Sequence, residues 1–286
     1  MMTPSCNQFS AGHRATLLLL GFLLTHWFIA PARAATLVGG DFAPGVLYDI
    51  NAANGAASNP RPTGLYQMAG FTVTPDGQHA YALTTFGGPQ PNGLFRIDLA
   101  SGAATFIGNT GLSFIGEGDL AFRPSDGRLF SVWNAVGGGM HLFTIDTTTG
   151  AATDVGAVTL AADLSGLAFG PNGALYCFEN FRERLLVLDP ATGSTLSTIN
   201  LTGLGIGGGE MAGLAYDIVS GTMYLAGGAN PSLFTIDLTT GATTLLGPTV
   251  PQGLASLAVV PEPTTVSLLI LALVLLCRPW RHIRTR

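Results

Sequence analysis

The sequence predicts an all-β fold, a five-bladed β-propeller with a blade shared between its two ends, and three observations carry the prediction. Two phrases recur along the middle of the chain. One reads "LYDINAANG", "LFRIDLASG", "LFTIDTTTG", "LLVLDPATG" and "LFTIDLTTG", placing aspartates at Asp49, Asp98, Asp146, Asp189 and Asp237 with spacings of 49, 48, 43 and 48 residues. The other reads "GFTVTPDGQHAYAL", "DLAFRPSDGRLFSV", "GLAFGPNGALYCF" and "GLAYDIVSGTMYLA", with a shortened last copy in "SLAVVPEP". Apolar and β-branched residues alternate in short runs, and each run stops at Pro-Asp-Gly, Asp-Gly, Asn-Gly or Thr-Gly, where hairpin turns are preset. Four short strands per unit of 43 to 49 residues is the period of a propeller blade. Finally, the last copy supplies only "SLAVV", while the first lacks that strand and supplies "TLVGG", "GVLYDI" and "GAASNP". Joined, these fragments complete one blade and remove the free edges of an open ring.

Residues 1–34 are predicted to be a signal peptide: Arg14 precedes an apolar run from Ala15 to Ala30, and Ala32 and Ala34 supply the small residues that signal peptidase requires. Residues 35–260 form the propeller domain. Residues 261–286 form a separate tail, in which an apolar run over 264–277 is followed by Arg278, Arg281, Arg284 and Arg286. As a helix that run spans about 21 Å, short against about 30 Å of hydrocarbon, and Arg278 and Trp280 extend it by reaching the headgroups. Arginine-rich flanks stay on the cytoplasmic side, so both ends of the chain predict that the body crosses the membrane.

The tail resembles the PEP-CTERM sorting signals of Gram-negative bacteria. The resemblance rests on Pro261, Glu262 and Pro263, the short transmembrane run and the terminal arginine cluster, in that order, and covers about the last tenth of the chain. Such tails also carry the label ice-binding protein C-terminal domain, which describes the tail and not the body. The resemblance implies recognition by an exosortase, cutting near the triplet, an inner-membrane intermediate and delivery to the cell surface or the extracellular matrix of a biofilm. Two prolines keep the triplet extended and out of any helix, which suits such recognition. The body resembles, in architecture alone, exported propellers of the WD and NHL type, and a fold does not fix a function.

Composition narrows the chemistry. Charged residues make up 10% of the chain against about 25% in ordinary domains, and 47% are hydrophobic, enough for a large core. Residues 35–263 hold six arginines against all 17 carboxylates, a balance that repels nucleic acid. The chain has no lysine, excluding a Walker phosphate loop and Schiff-base chemistry, and it has no G-x-S-x-G elbow or H-E-x-x-H pair. "DINAANG" misses the glycine and glutamate positions of an EF-hand, so the repeated aspartates are expected to shape turns. "GLGIGGG" at 203–209 matches a dinucleotide fingerprint only formally and is expected to be a loop. His79, His141 and Cys177 are expected to be structural.

One constellation remains. Gln67, Glu117, Asp163, Glu210 and Gln252 each stand just before a predicted inner strand and would ring the central funnel, where three carboxylates and two amides suit Ca2+ or a sugar. Phe178, Phe181 and Trp133 are expected in loops of the same face as apolar platforms. The sequence therefore predicts a non-enzymatic binding or structural module of the cell surface, with polysaccharide as a partner. The alternative is a propeller hydrolase, lactonase or glycosidase, using a pair of funnel carboxylates.

Overall fold

The computed structural model describes residues 35–261, apart from 114, 115, 117, 135–137, 160, 162, 206–210 and 228–230. The expected signal peptide, the apolar run, Glu262, Pro263 and the tail arginines lie outside the described residues. Among the described residues no helix is long and apolar enough to cross a membrane.

The described chain is a five-bladed β-propeller. The first blade holds β1 (Thr36–Gly40), β2 (Val46–Asn51) and β3 (Ala57–Pro62). The second runs β4 (Met68–Val73), β5 (His79–Thr84), β6 (Gly93–Asp98) and β7 (Ala104–Asn109). In the third are β8 (Leu120–Arg123), β9 (Arg128–Asn134), β10 (Met140–Ile145) and β11 (Ala152–Ala157). The fourth comprises β12 (Leu164–Phe169), β13 (Leu175–Glu179), β14 (Arg184–Leu188) and β15 (Thr195–Asn200). The fifth comprises β16 (Ala212–Asp217), β17 (Thr222–Gly227), β18 (Ser232–Ile236) and β19 (Thr243–Pro248), and β20 (Ser256–Val260) returns to complete the first. All pairings within the blades are antiparallel, and β20 pairs with β1 from Thr36 opposite Val260 to Gly40 opposite Ser256. The shared closing blade has the strands that the fragments "TLVGG" and "SLAVV" predicted.

Strands β4, β8, β12, β16 and β20 pack side by side around the axis. Each therefore has neighbours on both faces, which is why "MAGFTV" of β4 is buried throughout, whereas the outer strand β7 is mostly half-buried or exposed. The core is correspondingly divided into five layers, one at each blade-to-blade interface. One layer joins Phe178 and Leu185 to Leu214, Leu225 and Phe234, and another joins Val38 and Leu47 to Met68, Phe71 and Phe95. Burying each such side chain contributes about 1.5–3 kcal/mol.

The aspartate phrase builds the rim. In each of four blades the Gly N–H of the turn bonds the aspartate carbonyl at 2.8 Å, as Gly102 does with Asp98 and Gly150 with Asp146. In the first blade the same bond runs from Gly55 to Asn51, so the repeat position there belongs to Asn51 and not to Asp49, which sits two residues earlier. The turn glycine then meets the outer strand of the preceding blade. A Cβ on Gly150 would lie 2.7 Å from Gly108, one on Gly193 2.5 Å from the Gly156 carbonyl, and one on Gly55 2.7 Å from the Gly247 carbonyl. Positive φ and this close approach both require glycine.

Candidate functional site: the funnel face and the closed axis

All inner strands start on one face, so the loops before them form a common mouth. Gln67, in the left-handed region with φ 58°, accepts a hydrogen bond on Oε1 from Thr85 Oγ1 at 2.6 Å, and its carbonyl accepts from Thr85 N at 3.0 Å. Gln252 donates its amide to Asp41 Oδ2 at 2.9 Å and to the Tyr48 hydroxyl at 3.1 Å. Asp41 is fully buried and also accepts from Gly45 and Val46 N–H, so this cluster pins the loop between β1 and β2. Both side chains are thus tied to a neighbouring segment of their own blade, Gln67 to the loop after β5 and Gln252 to the loop after β1 and to β2. Asp163 is half-buried, and its carbonyl accepts from Asn180 N at 3.2 Å. Glu117 and Glu210 lie outside the described residues. Among the described residues no three His, Cys, Asp or Glu side chains group to hold a metal.

The aromatic platforms need a correction. Phe178 is in β13 and Trp133 in β9; they are 0% and 1% exposed, and Trp133 stacks on Phe143 with centroids 4.2 Å apart. Both face the blade interfaces, because strands here extend further than the turn signals indicated. Phe181 alone of the three is open to solvent, and Tyr66 and Phe86 on neighbouring loops of this face are exposed as well.

Sequence reasoning missed the residue at the centre. Asp119, just before β8, is fully buried. Its Oδ1 accepts N–H from Leu120 at 2.8 Å and Phe71 at 3.2 Å, and Oδ2 accepts from Leu167 at 2.9 Å. Leu214 N–H is a further donor, so one carboxylate gathers the inner strands of four blades. The equivalent positions in the other blades are Gly70, Gly166, Gly213 and Ser256, and a Cβ on Gly70 would lie 2.9 Å from the Asp119 backbone. Small residues bring the strands together and the one aspartate fills what space is left. The axis is closed at this level. Burial pushes the Asp119 carboxyl well above the usual carboxylate range, against the pull of the four N–H groups.

Other ionisable groups are held in local structure. Glu179 is buried and pairs with Arg182 Nη1 at 2.5 Å and with Arg184 Nε. Cys177 is buried; desolvation, with Asp119 and Glu179 nearby, raises its thiol well above the ordinary value. His141 pairs with Asp154 at 2.9 Å and His79 with Asp76 at 3.1 Å. The repeated aspartates act on their own turns: Asp146 accepts from Thr148 Oγ1, Thr148 N and Thr149 N, which lowers its carboxyl to about 2.

Fold and face define the class: a closed propeller with a plugged axis. A family described as "Repeat of unknown function (DUF6923)" matches residues 90–256, and the chain belongs to it. No match was found among curated proteins. Among solved structures, a chain of a nidogen/laminin complex is 13% identical with a TM-score of 0.54, covering 79% of this chain and 98% of its own. TolB from Acinetobacter baumannii is 18% identical with a TM-score of 0.48, covering 86% of this chain and 61% of its own. The nidogen/laminin likeness extends to the fold alone.

Proposed function

We propose that this chain is exported and works at the cell surface or in the extracellular matrix as a non-enzymatic binding or structural propeller, carried there by its PEP-type tail. The signal peptide would be removed near Ala34, and an exosortase-type enzyme would cut near Pro261, Glu262 and Pro263. The observation that supports this reading is the cross-strand pair Thr36–Val260. The ring begins and ends at adjacent points of one blade, so a leader and a membrane-bound tail can both be removed beside it without cutting a strand. Pro261, directly after the closing strand, is exposed. On the opposite face Tyr66, Phe86 and Phe181 offer exposed aromatic surface for a partner.

Mass spectrometry of the surface-exposed protein, from a host with an active exosortase, tests the sorting. The expected C-terminus lies near Glu262. Recovery of Arg286 on the mature surface protein would overturn the proposal.

A further inference from the structure

Three of the five blade interfaces are alike at the rim, and of the two that differ one is polar. Opposite the third-strand leucines Leu94, Leu142 and Leu233, the outer strands carry Gly108, Gly156 and Gly247. The fourth blade has Ile199 at this place, and the first blade has Arg61, opposite Leu47. Arg61 is 8% exposed, and Gly102 of the second blade approaches its stem so closely that a Cβ there would lie 2.9 Å from Arg61 Cβ. Its Nη2 donates to Asp49 Oδ1 at 2.7 Å and its Nη1 to the Asn59 carbonyl at 3.2 Å, while Nε–H meets no acceptor. Asp49 is itself particular to this blade, since the third strands elsewhere place Arg96, Thr144, Val187 or Thr235 there. Burial works to raise the Asp49 carboxyl, but hydrogen bonds from Arg61 and Asn59 outweigh it and hold it below the usual range.

Around this ion pair, between the first and second blades and on the face opposite the funnel, lies a cleft of about 470 Å³. Asp49, Arg61, Gln78 and Asp98 supply its polar lining, and Leu99 and Val260 an apolar one. Asp98 is exposed and accepts on Oδ1 from the Ser101 N–H and hydroxyl, with Ala100 N–H a further donor to the carboxylate. Two carboxylates against one guanidinium disfavour an anion, and the buried guanidinium disfavours a cation. What the lining matches is a neutral group that both donates and accepts hydrogen bonds at several points and carries a C–H face for the apolar side. We infer that this cleft is a binding site for a neutral saccharide unit. The volume falls in the range of small-molecule sites, about 300–1,000 Å³. All the residues invoked belong to the ring.

The test uses the purified full chain in detergent and titrates glucose, galactose, mannose, N-acetylglucosamine, cellobiose and maltose, with galacturonate and inorganic phosphate as anionic probes. At least one neutral sugar should bind in the millimolar range or tighter, and more tightly than either anion. Asp98→Asn should weaken that binding about tenfold, by removing one charged acceptor. The ring should survive that change, because Asn51 already makes the same turn with an amide. Ala100→Trp, at an exposed position on the cleft, should abolish binding by filling it. No binding by any of the six sugars, tighter binding of an anion, or equal affinity in parent, Asp98→Asn and Ala100→Trp would each overturn the inference.

Discussion

The axis and the rim of this ring solve the same problem in opposite ways. Both must hold five blades at close range. At the rim one device is repeated: a turn glycine of each blade touches the outer strand of the blade before it, as Gly150 touches Gly108 and Gly193 touches Gly156. At the axis repetition is broken once, and Asp119, where the other blades have Gly70, Gly166, Gly213 and Ser256, collects N–H groups from four inner strands. Five identical small residues around an axis would leave donors facing a gap, whereas one carboxylate can serve several of them. Loss at the rim is therefore local, and loss at the axis is shared by the ring.

The largest effect should come from opening the ring, which removes the distinction between the two regions. Deleting Leu254–Val260 exposes several side chains worth about 1.5–3 kcal/mol each, against a typical total of about 5–15 kcal/mol. The deletion variant should show no cooperative melt at the parental temperature, and an unchanged calorimetric transition would refute the closure. Next comes the axis. Asp119→Asn turns an acceptor into a donor facing backbone N–H groups, and each orphaned group costs about 1–3 kcal/mol. Asp119→Gly makes all but one axial position glycine and opens room for a small carboxylic acid. Added formate should then raise the melting temperature of Asp119→Gly but not that of Asp119→Asn; equal responses would show that the carboxylate is not holding the strands.

Rim substitutions should cost less. Gly150→Ala meets both φ 79° and a contact of 2.7 Å, whereas Gly127→Ala meets φ 73° with its nearest neighbour, the Phe122 ring, 4.0 Å away. The first should lose about 1–3 kcal/mol and the second about 1 kcal/mol, measured by urea unfolding. Similar values for both would mean that the interblade contact contributes nothing.

The smallest expected effect is in pH dependence, where the two regions have opposite signs. The Asp119 carboxyl is raised in the fold, so its contribution to stability is full below the ordinary carboxylate pKa and is lost as pH rises through its own value. Asp146 is lowered to about 2, so its contribution is present above the ordinary pKa and is lost as pH falls through about 2. Relative to the parent, Asp119→Gly should gain as pH rises and Asp146→Asn should gain as pH falls. Parallel melting curves against pH would contradict both assignments.

What the sequence made legible follows the same division. Repeated features announced themselves: the blade period, the turn aspartates and the shared blade were all readable, because five copies average out the noise of one. Single features did not. Asp119 reads as one more residue of "GDLAF", and only the closeness of Gly70 and Leu167 reveals its work. Counting along the repeat sets Gln67 and Gln252 before inner strands, but counting cannot see Thr85, Asp41 or Tyr48 bonding their side chains. The slip from Asn51 to Asp49 has the same origin, since an amide can make the aspartate's turn while a neighbouring carboxylate attracts the eye. Trp133 and Phe178 lie in strands and not in loops because turn signals mark strand ends only approximately.

The pairing of Thr36 with Val260 also determines how the molecule carries a load. These residues are partners at the very end of an antiparallel pair, so a pull applied through the two chain ends acts on one hydrogen-bonded step at a time. The strands β1 and β20 would part like a zipper, rather than sliding against each other with all their bonds strained together. Held by both ends the ring is weak in tension; held by one end and gripped on its opposite face, it passes the force across the blades instead.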